Sequence, residues 1–233
     1  MEALLQRNPE KRFCPICGIL EKEFRGGGTG GIKRKNAKCP SCGSLERHRL
    51  SWLYITTELW PQLPTERKKD VLHVAPEQFF RDILHERPDM NYISGDLFMA
   101  DSALRLDLTN ICLWDQMIDV IICSHVLEHI PYDRTAMREM YRILRPGGFL
   151  LVMVPIYGES TYEDFSITSP TERVTHFGQE DHVRKYGRDI SLRLGEAGFV
   201  VEEWPRSDNI NAELKEFLAL GPRILHVCRK EFG

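Results

Sequence analysis

From Lys69 onward the chain alternates between short apolar runs and stretches whose apolar residues recur at helical spacing. Residues 71–74 make the first run, and "NYISGDLF" and "LRLDLTNI" supply a second and a shorter third. The fourth, residues 120–123 within "MIDVIICSHVLEHI", is strongly apolar, and "FLLVMVPI" is a fifth. "VVEEW" and "RILHVCRK" complete a set of seven. Between them residues 78–86, "RTAMREMYRILRPGG" and "RDISLRLGEAGF" read as amphipathic helices, the second closed by Pro146 and two glycines. Apolar strands alternating with helices predict an α/β domain with a mostly parallel sheet covered on both faces. Ligands of such sheets sit at the carboxyl ends of the strands, where the strand order reverses.

The first 67 residues lack this alternation. "SLERHRLSWLYITTEL" has the spacing of one helix ended by Pro61. The chain therefore divides into a small module at residues 1–50, a linking helix at 51–67 and the α/β domain at 68–233. Within the module, "RGGGTGGIKRKNAK" follows no strand and opens no periodic helix, so it predicts a flexible loop rather than a phosphate cradle. On either side of it stand "CPIC" and "CPSC", that is Cys14, Cys17, Cys39 and Cys42, with 21 residues between the inner cysteines. Two such pairs, each backed by a glycine, can surround a zinc ion tetrahedrally. Four thiolates leave no open position, so the zinc is expected to be structural. An iron–sulfur cluster competes for the same ligand set.

The remaining three of seven cysteines lie apart. That arrangement suits a reducing, cytoplasmic setting better than a disulfide framework. No apolar run is long enough to span a bilayer, and the N-terminus lacks the apolar core of a secretory signal, so no membrane partner is expected. Charge is unevenly spread. Residues 1–50 hold eleven Lys and Arg against five Glu, a net +6, which leaves −9 for the rest of a chain whose total is −3. A basic head on an acidic body can attract an anionic partner.

The phrase "DVIICSHVLEHIP…RTAMREMYRILRPGGFLLVMVPI" resembles the middle of a class I S-adenosylmethionine-dependent methyltransferase. "FGQEDHVRKYGRDISLRLGEAGFVVE" resembles a subgroup of methyltransferase-like proteins, of the type 11 kind, that carry a cysteine-rich N-terminal segment. The resemblance implies a Rossmann-like seven-stranded sheet and S-adenosylmethionine as cofactor. It also assigns cofactor positions. The turn Ala75, Pro76, Glu77 would face the methionine carboxylate, although the superfamily usually fills this turn with glycines. A proline is welcome at a helix start, whose free N–H groups favour an anion. Asp96, with Leu97, would accept the ribose hydroxyls, Asp107 and Leu108 would meet the adenine, and Ser124 and His125 would lie at the methionine end.

Methyl transfer to oxygen or nitrogen needs alignment and often a general base. The candidates are His182, His125 and His129, with Glu128 as a carboxylate alternative. "THFGQEDHVRKYG" is a polar insertion before a helix, where substrate loops commonly lie, and it gathers His176, Gln179, Asp181, Arg184 and Tyr186. The resulting expectation is methyl transfer to a small-molecule or glycan acceptor, for which Arg184 and the basic head would suit an anionic one. Two alternatives stand beside it. One is an RNA methyltransferase whose zinc head grips nucleic acid through Lys33, Arg34, Lys35 and Lys38. The other is a non-catalytic protein that kept the fold.

Overall fold

The computed structural model describes residues 2–27, 34–205 and 210–232. Seven of its strands form one sheet: β1 Lys69–Val74, β2 Met90–Asp96, β3 Leu104–Arg105, β4 Ile118–Ser124, β5 Leu144–Met153, β6 Val200–Trp204 and β7 Leu225–Arg229. Their spatial order is β6-β7-β5-β4-β1-β2-β3. The five strands from β5 to β3 run parallel, and β7 is antiparallel to β5. This is the mostly parallel α/β architecture that the apolar runs predict. The order turns back between β1 and β4, so the crevice outside their carboxyl ends is the switch point.

Burial follows position in the sheet. The first six residues of β4 and the last six of β5 are buried, as strands covered on both faces must be, whereas edge strand β6 alternates. The helix Asp133–Ile143 turns Ala136, Met137, Met140 and Ile143 onto the sheet, all of them fully buried. Each of the larger three contributes about 1.5–3 kcal/mol of burial on an extended-chain reference.

Two local readings need correction. The helix containing "RILRPGG" stops at Ile143, before the proline, because Leu144 already opens β5. Ile118 and Val120 of β4 pair with Leu144 and Phe149, so four residues of β5 bulge opposite one of β4. Pro146 fits there because a bulge asks no ladder hydrogen bond of it, and Gly147 takes a left-handed φ of 79°. The second correction concerns the glycine-rich loop. Its flanks Arg25–Gly27 and Arg34–Lys38 are paired antiparallel strands; residues 28–33, with Lys33, lie outside the described residues.

Packing divides the chain into two compact units, residues 1–63, 78–82 and 203–225 in one, and residues 64–77, 83–202 and 226–233 in the other. The sequence divides it instead at residues 50 and 67. In the first unit Phe13 stacks on Phe217 at 5.9 Å, and Arg12 pairs with Glu216. The helix Ala212–Phe217, capped by the Asn211 side chain, belongs to the unit that holds the cysteines. No described helix is long and apolar enough to cross a membrane.

Candidate functional site

The four cysteines of the first unit converge. Their Sγ atoms all lie within 4.8 Å of one another, with Cys14–Cys42 and Cys17–Cys39 both at 3.7 Å. Zinc–thiolate bonds of about 2.3 Å in a tetrahedron set the sulfurs about 3.8 Å apart, so the set fits that ion. Two like-built knuckles bring this about. Gly18 N–H donates to Cys14 O at 2.9 Å and Gly43 N–H to Cys39 O at 3.1 Å, with left-handed φ of 73° and 74° at the two glycines. The Cys14 thiol, together with the Ser44 hydroxyl, holds Cys42 below the ordinary thiol value, toward the thiolate form that a metal requires. Arg49, fully buried, donates to the carbonyls of Ser44 (2.6 Å), Asn36 and Ala37 (both 3.2 Å), Leu218 (3.1 Å) and Ala219. It lies beside Cys14, Glu46, Cys39 and Cys42, so its fixed positive charge would offset a tetrathiolate centre of net negative charge. His48 takes no part, since its Nδ1 accepts the Leu45 amide at 3.1 Å.

At the switch point of the second unit the first loop is unusual. Ala75 follows β1 with φ 47°, in the left-handed region that glycine takes without strain, and its N–H donates to Gly95 O at 2.8 Å. Pro76 is buried and Glu77 half-buried. Gly95 itself is required, because a Cβ there would stand 2.5 Å from Leu106 Cδ2.

At the tip of β2, Asp96 Oδ1 accepts the amides of Phe98 (2.6 Å) and Met99 (2.7 Å). One of the two oxygens expected for ribose is thereby spent on the turn; Oδ2 has no partner among the described residues. A cleft of about 400 Å³ opens over this turn, lined by Leu97, Phe98, Met99, Ala100, Ser102 and Arg105. Its size is within the range of small-molecule sites. Asp107, beyond β3, accepts both the amide (2.8 Å) and hydroxyl (2.7 Å) of Thr109 on Oδ1, which hold its carboxyl below the usual value, and Leu108 beside it is buried.

At the tip of β4, Ser124 is half-buried and His125 adopts a left-handed φ of 56°. His125 Nδ1 lies 3.2 Å from Glu128 Oε1, a carboxylate that is only 2% exposed. The short turn Leu127–His129 then brings Glu128 and His129 together with His182, one ligand atom from each lying within 4.8 Å of the others. His129 Nδ1 meets Asp181 Oδ2 at 3.1 Å. Burial, and next the neighbouring His129, hold His182 below its ordinary value, so its ring is neutral near pH 7.

The expected substrate loop separates into two groups. Arg184 is fully buried and donates to the carbonyls of Leu127 (3.0 Å), Ile130 (2.5 Å) and Pro131 (2.8 Å) and to Glu163 Oε2 (2.9 Å). Tyr186 is equally buried, and its hydroxyl donates to Asp133 Oδ2 at 2.7 Å. Neither can meet an acceptor, because their polar atoms close the fold around the β4 turn. His176, Gln179 and Asp181 remain exposed, His176 beside the Tyr162 hydroxyl at 2.9 Å. His176 lies in the last turn of the helix Pro170–Phe177, which the polar composition of this stretch conceals. Ser169 caps its start and Gly178 its end. A strong group not expected is the ion-pair cluster of Asp133, Glu163, Arg184 and Arg193, whose oppositely charged partners are 21 to 60 residues apart in sequence and carry no local signal.

Residues 87–152, β2 through nearly all of β5, match the family model described as a methyltransferase domain. Three solved structures are similar at low identity. YcgJ from Bacillus subtilis is 15% identical over 80% of this chain and 100% of that one, with a TM-score of 0.52. An S-adenosylmethionine-dependent methyltransferase from Mesorhizobium loti is 15% identical over 77% and 100%, with a TM-score of 0.50. The [4+2]-cyclase SpnF is 16% identical over 80% and 82%, also at 0.50. A comparison with curated proteins finds no match. The fold is therefore the Rossmann-like class I methyltransferase fold, with a four-cysteine cluster near its N-terminus. That a cyclase shares it means that the reaction has to be argued from the site.

Proposed function

We propose that this chain transfers a methyl group from S-adenosylmethionine to a small-molecule or glycan acceptor, and that its cysteines hold a structural zinc ion. The observation that carries the reading is the gathering of Ala75, Asp96, Asp107, Ser124 and His125 at the carboxyl ends of four adjacent strands around the switch point. The matched methyltransferase domain supports it.

In this reading the turn Ala75, Pro76, Glu77 faces the methionine carboxylate, and since proline has no N–H the Glu77 amide is the donor there. Asp96 Oδ2 accepts a ribose hydroxyl beside Leu97, and Asp107 and Leu108 flank the adenine. When bound, the cofactor supplies a methyl group made electrophilic by its sulfonium. The chain aligns the acceptor with it and handles the acceptor proton. We assign that proton to His125 Nε2. Its opposite nitrogen is held by Glu128 Oε1, the carboxylate–imidazole arrangement that fixes a base in one orientation. His182 and His129 lie behind it, and exposed His176, Gln179 and Asp181 border the acceptor's approach. An acceptor of low molecular weight is favoured over RNA. Of the described basic run Arg34 is spent on Glu46, at 2.8 and 3.0 Å, leaving Lys35 and Lys38 exposed.

Calorimetric titration with S-adenosylmethionine and S-adenosylhomocysteine, on the natural chain and on Asp96→Ala, tests the cofactor site. Saturable binding that the substitution abolishes is expected. Equal binding by both, or none by the folded natural chain, overturns the assignment. Salt-dependent RNA binding would instead bring the nucleic-acid reading forward.

A further inference from the structure

We propose that Glu128, His129 and His182 form a second metal site, for one divalent transition-metal ion held by two imidazoles and a carboxylate. Three observations carry it. One ligand atom from each residue lies within 4.8 Å of the other two. Glu128 is 2% and His182 1% exposed, and Glu128 Oε2 and His182 Nδ1 are both buried with no hydrogen-bond partner. The His129 and His182 rings stand edge to face, 4.6 Å between centroids and 84° between planes, so two imidazoles approach one region from different directions.

A buried carboxylate oxygen and a buried imidazole nitrogen, on residues whose ligand atoms converge and with no hydrogen-bond partner for either, are costly to maintain. A cation satisfies both. The surroundings resemble those of ligating groups. His182 Nδ1 is buried and has no hydrogen-bond partner, which leaves it available to coordinate. Asp181 Oδ2 meets His129 at 3.1 Å and orients that ring. Val183 N–H donates to Glu128 O at 3.0 Å, and the buried Arg184 clamps the carbonyls of Leu127, Ile130 and Pro131, so the ligands arrive on tied segments.

Donor chemistry selects the ion. Imidazole with carboxylate suits zinc, cobalt or iron(II) rather than magnesium or calcium, which prefer oxygen alone. Bonds of about 2.0–2.1 Å in a tetrahedron set the donor atoms about 3.4 Å apart, a spacing that side-chain shifts can reach from atoms lying within 4.8 Å of one another. His129, with 32% of its side chain exposed, has room to supply that shift. Three protein ligands leave an open coordination position, as reactive metal sites do and as the four cysteines do not. Glu128 Oε1 at the same time faces His125, which puts the ion beside the β4 tip. The site stands on its own residues, and its test reads metal binding whether or not the methyl-transfer reading holds.

The experiment uses the full chain carrying one zinc at the cysteines, titrated with cobalt(II) and followed by visible absorption and elemental analysis. Expected is one further cobalt per chain, with visible ligand-field bands but without the intense near-ultraviolet charge transfer of thiolate ligation. Glu128→Gln and His129→Gln should each weaken binding about tenfold or more. Glu128→Gln preserves shape and His129 is partly exposed, so circular dichroism should show both variants folded; His182→Gln is a third. A natural chain that purifies with two zinc ions, falling to one in these variants, supports the proposal equally. Absent ligand-field bands, bands accompanied by thiolate charge transfer, or unchanged affinity in folded Glu128→Gln and His129→Gln overturn it.

Discussion

Arg184 separates a residue that holds the site from one that touches substrate, and replacing it with Met tests which it is. Its guanidinium is fully buried and makes four hydrogen bonds, three to the turn carbonyls of Leu127, Ile130 and Pro131 and one to Glu163. Methionine fills similar volume but donates to none of them. Three carbonyls then lose a donor in a place water reaches poorly, and Glu163 keeps only Arg193, at 3.0 and 3.1 Å. A bond to a charged group is worth about 1.5–3 kcal/mol net, but four made by one group do not add. Removing one partner of a buried ionic set costs about 3–5 kcal/mol. At about 2–4 °C per kcal/mol for a chain of this size, the melting temperature should fall by roughly 6–20 °C. Urea unfolding followed by far-ultraviolet circular dichroism measures the loss, and Arg184→Lys should recover only part of it, since one ammonium cannot span the four acceptors. A loss below about 0.5 kcal/mol, the range of ordinary surface substitutions, would refute the structural role. Arg184 would then return to the acceptor side.

Other expectations follow from the same geometry. Ala75→Gly removes a left-handed strain of about 1–2 kcal/mol at the cost of about 0.5–1 kcal/mol of backbone entropy, so stability should hold or rise slightly. Ala75→Val should lower it, and denaturant midpoints compare the two. Chelating the cysteine metal should abolish the cooperative melting of the unit holding residues 1–63 and release close to one zinc per chain, read by calorimetry and elemental analysis. The Asp119 and Glu163 carboxyls tend upward through burial, but hydrogen bonds from Arg67 and from Arg193 and Arg184 outweigh this and hold both below their ordinary values. The unfolded chain therefore takes up these protons first as the pH falls. Their stabilisation is complete above the unfolded carboxylate values of about 4 and declines below them, and Asp119→Asn should make the acid limb of the melting-temperature profile shallower.

The sheet was legible because its strands are apolar enough to be covered on both faces, and a two-residue periodicity was not needed to find them. The cysteine pairs were legible for another reason. Two thiolates and a glycine four residues after the first cysteine define a knuckle locally, whatever surrounds it. What escaped depends on distant partners. Arg184 and Tyr186 look like loop residues beside "HFGQEDH", and only the fold shows that Leu127, Ile130 and Asp133, more than 50 residues earlier, use up their polar atoms. The same holds for residues 203–225, whose place beside the cysteines rests on contacts such as Phe13 with Phe217. The start of β5 is hidden in the sequence because proline and two glycines usually end a helix, whereas here they shape a bulge.

The glycine-free first loop bears most directly on whether this crevice works. Had Ala75 adopted an ordinary extended or helical conformation, the chain would leave β1 on a different path from one built with glycine, and the loop would count against a ligand. Instead Ala75 at φ 47° takes the path glycine would take, and His125, at the tip of neighbouring β4, does the same at 56°. Two non-glycine residues in this region, on adjacent strand tips at the switch point, each carry about 1–2 kcal/mol of strain. They are held there by backbone hydrogen bonds to the next strand, Ala75 N–H to Gly95 O and His125 N–H to Met153 O, the latter at 2.7 Å. Strain of this kind gathers at ligand sites, and here it falls on the two strand tips that flank the switch point.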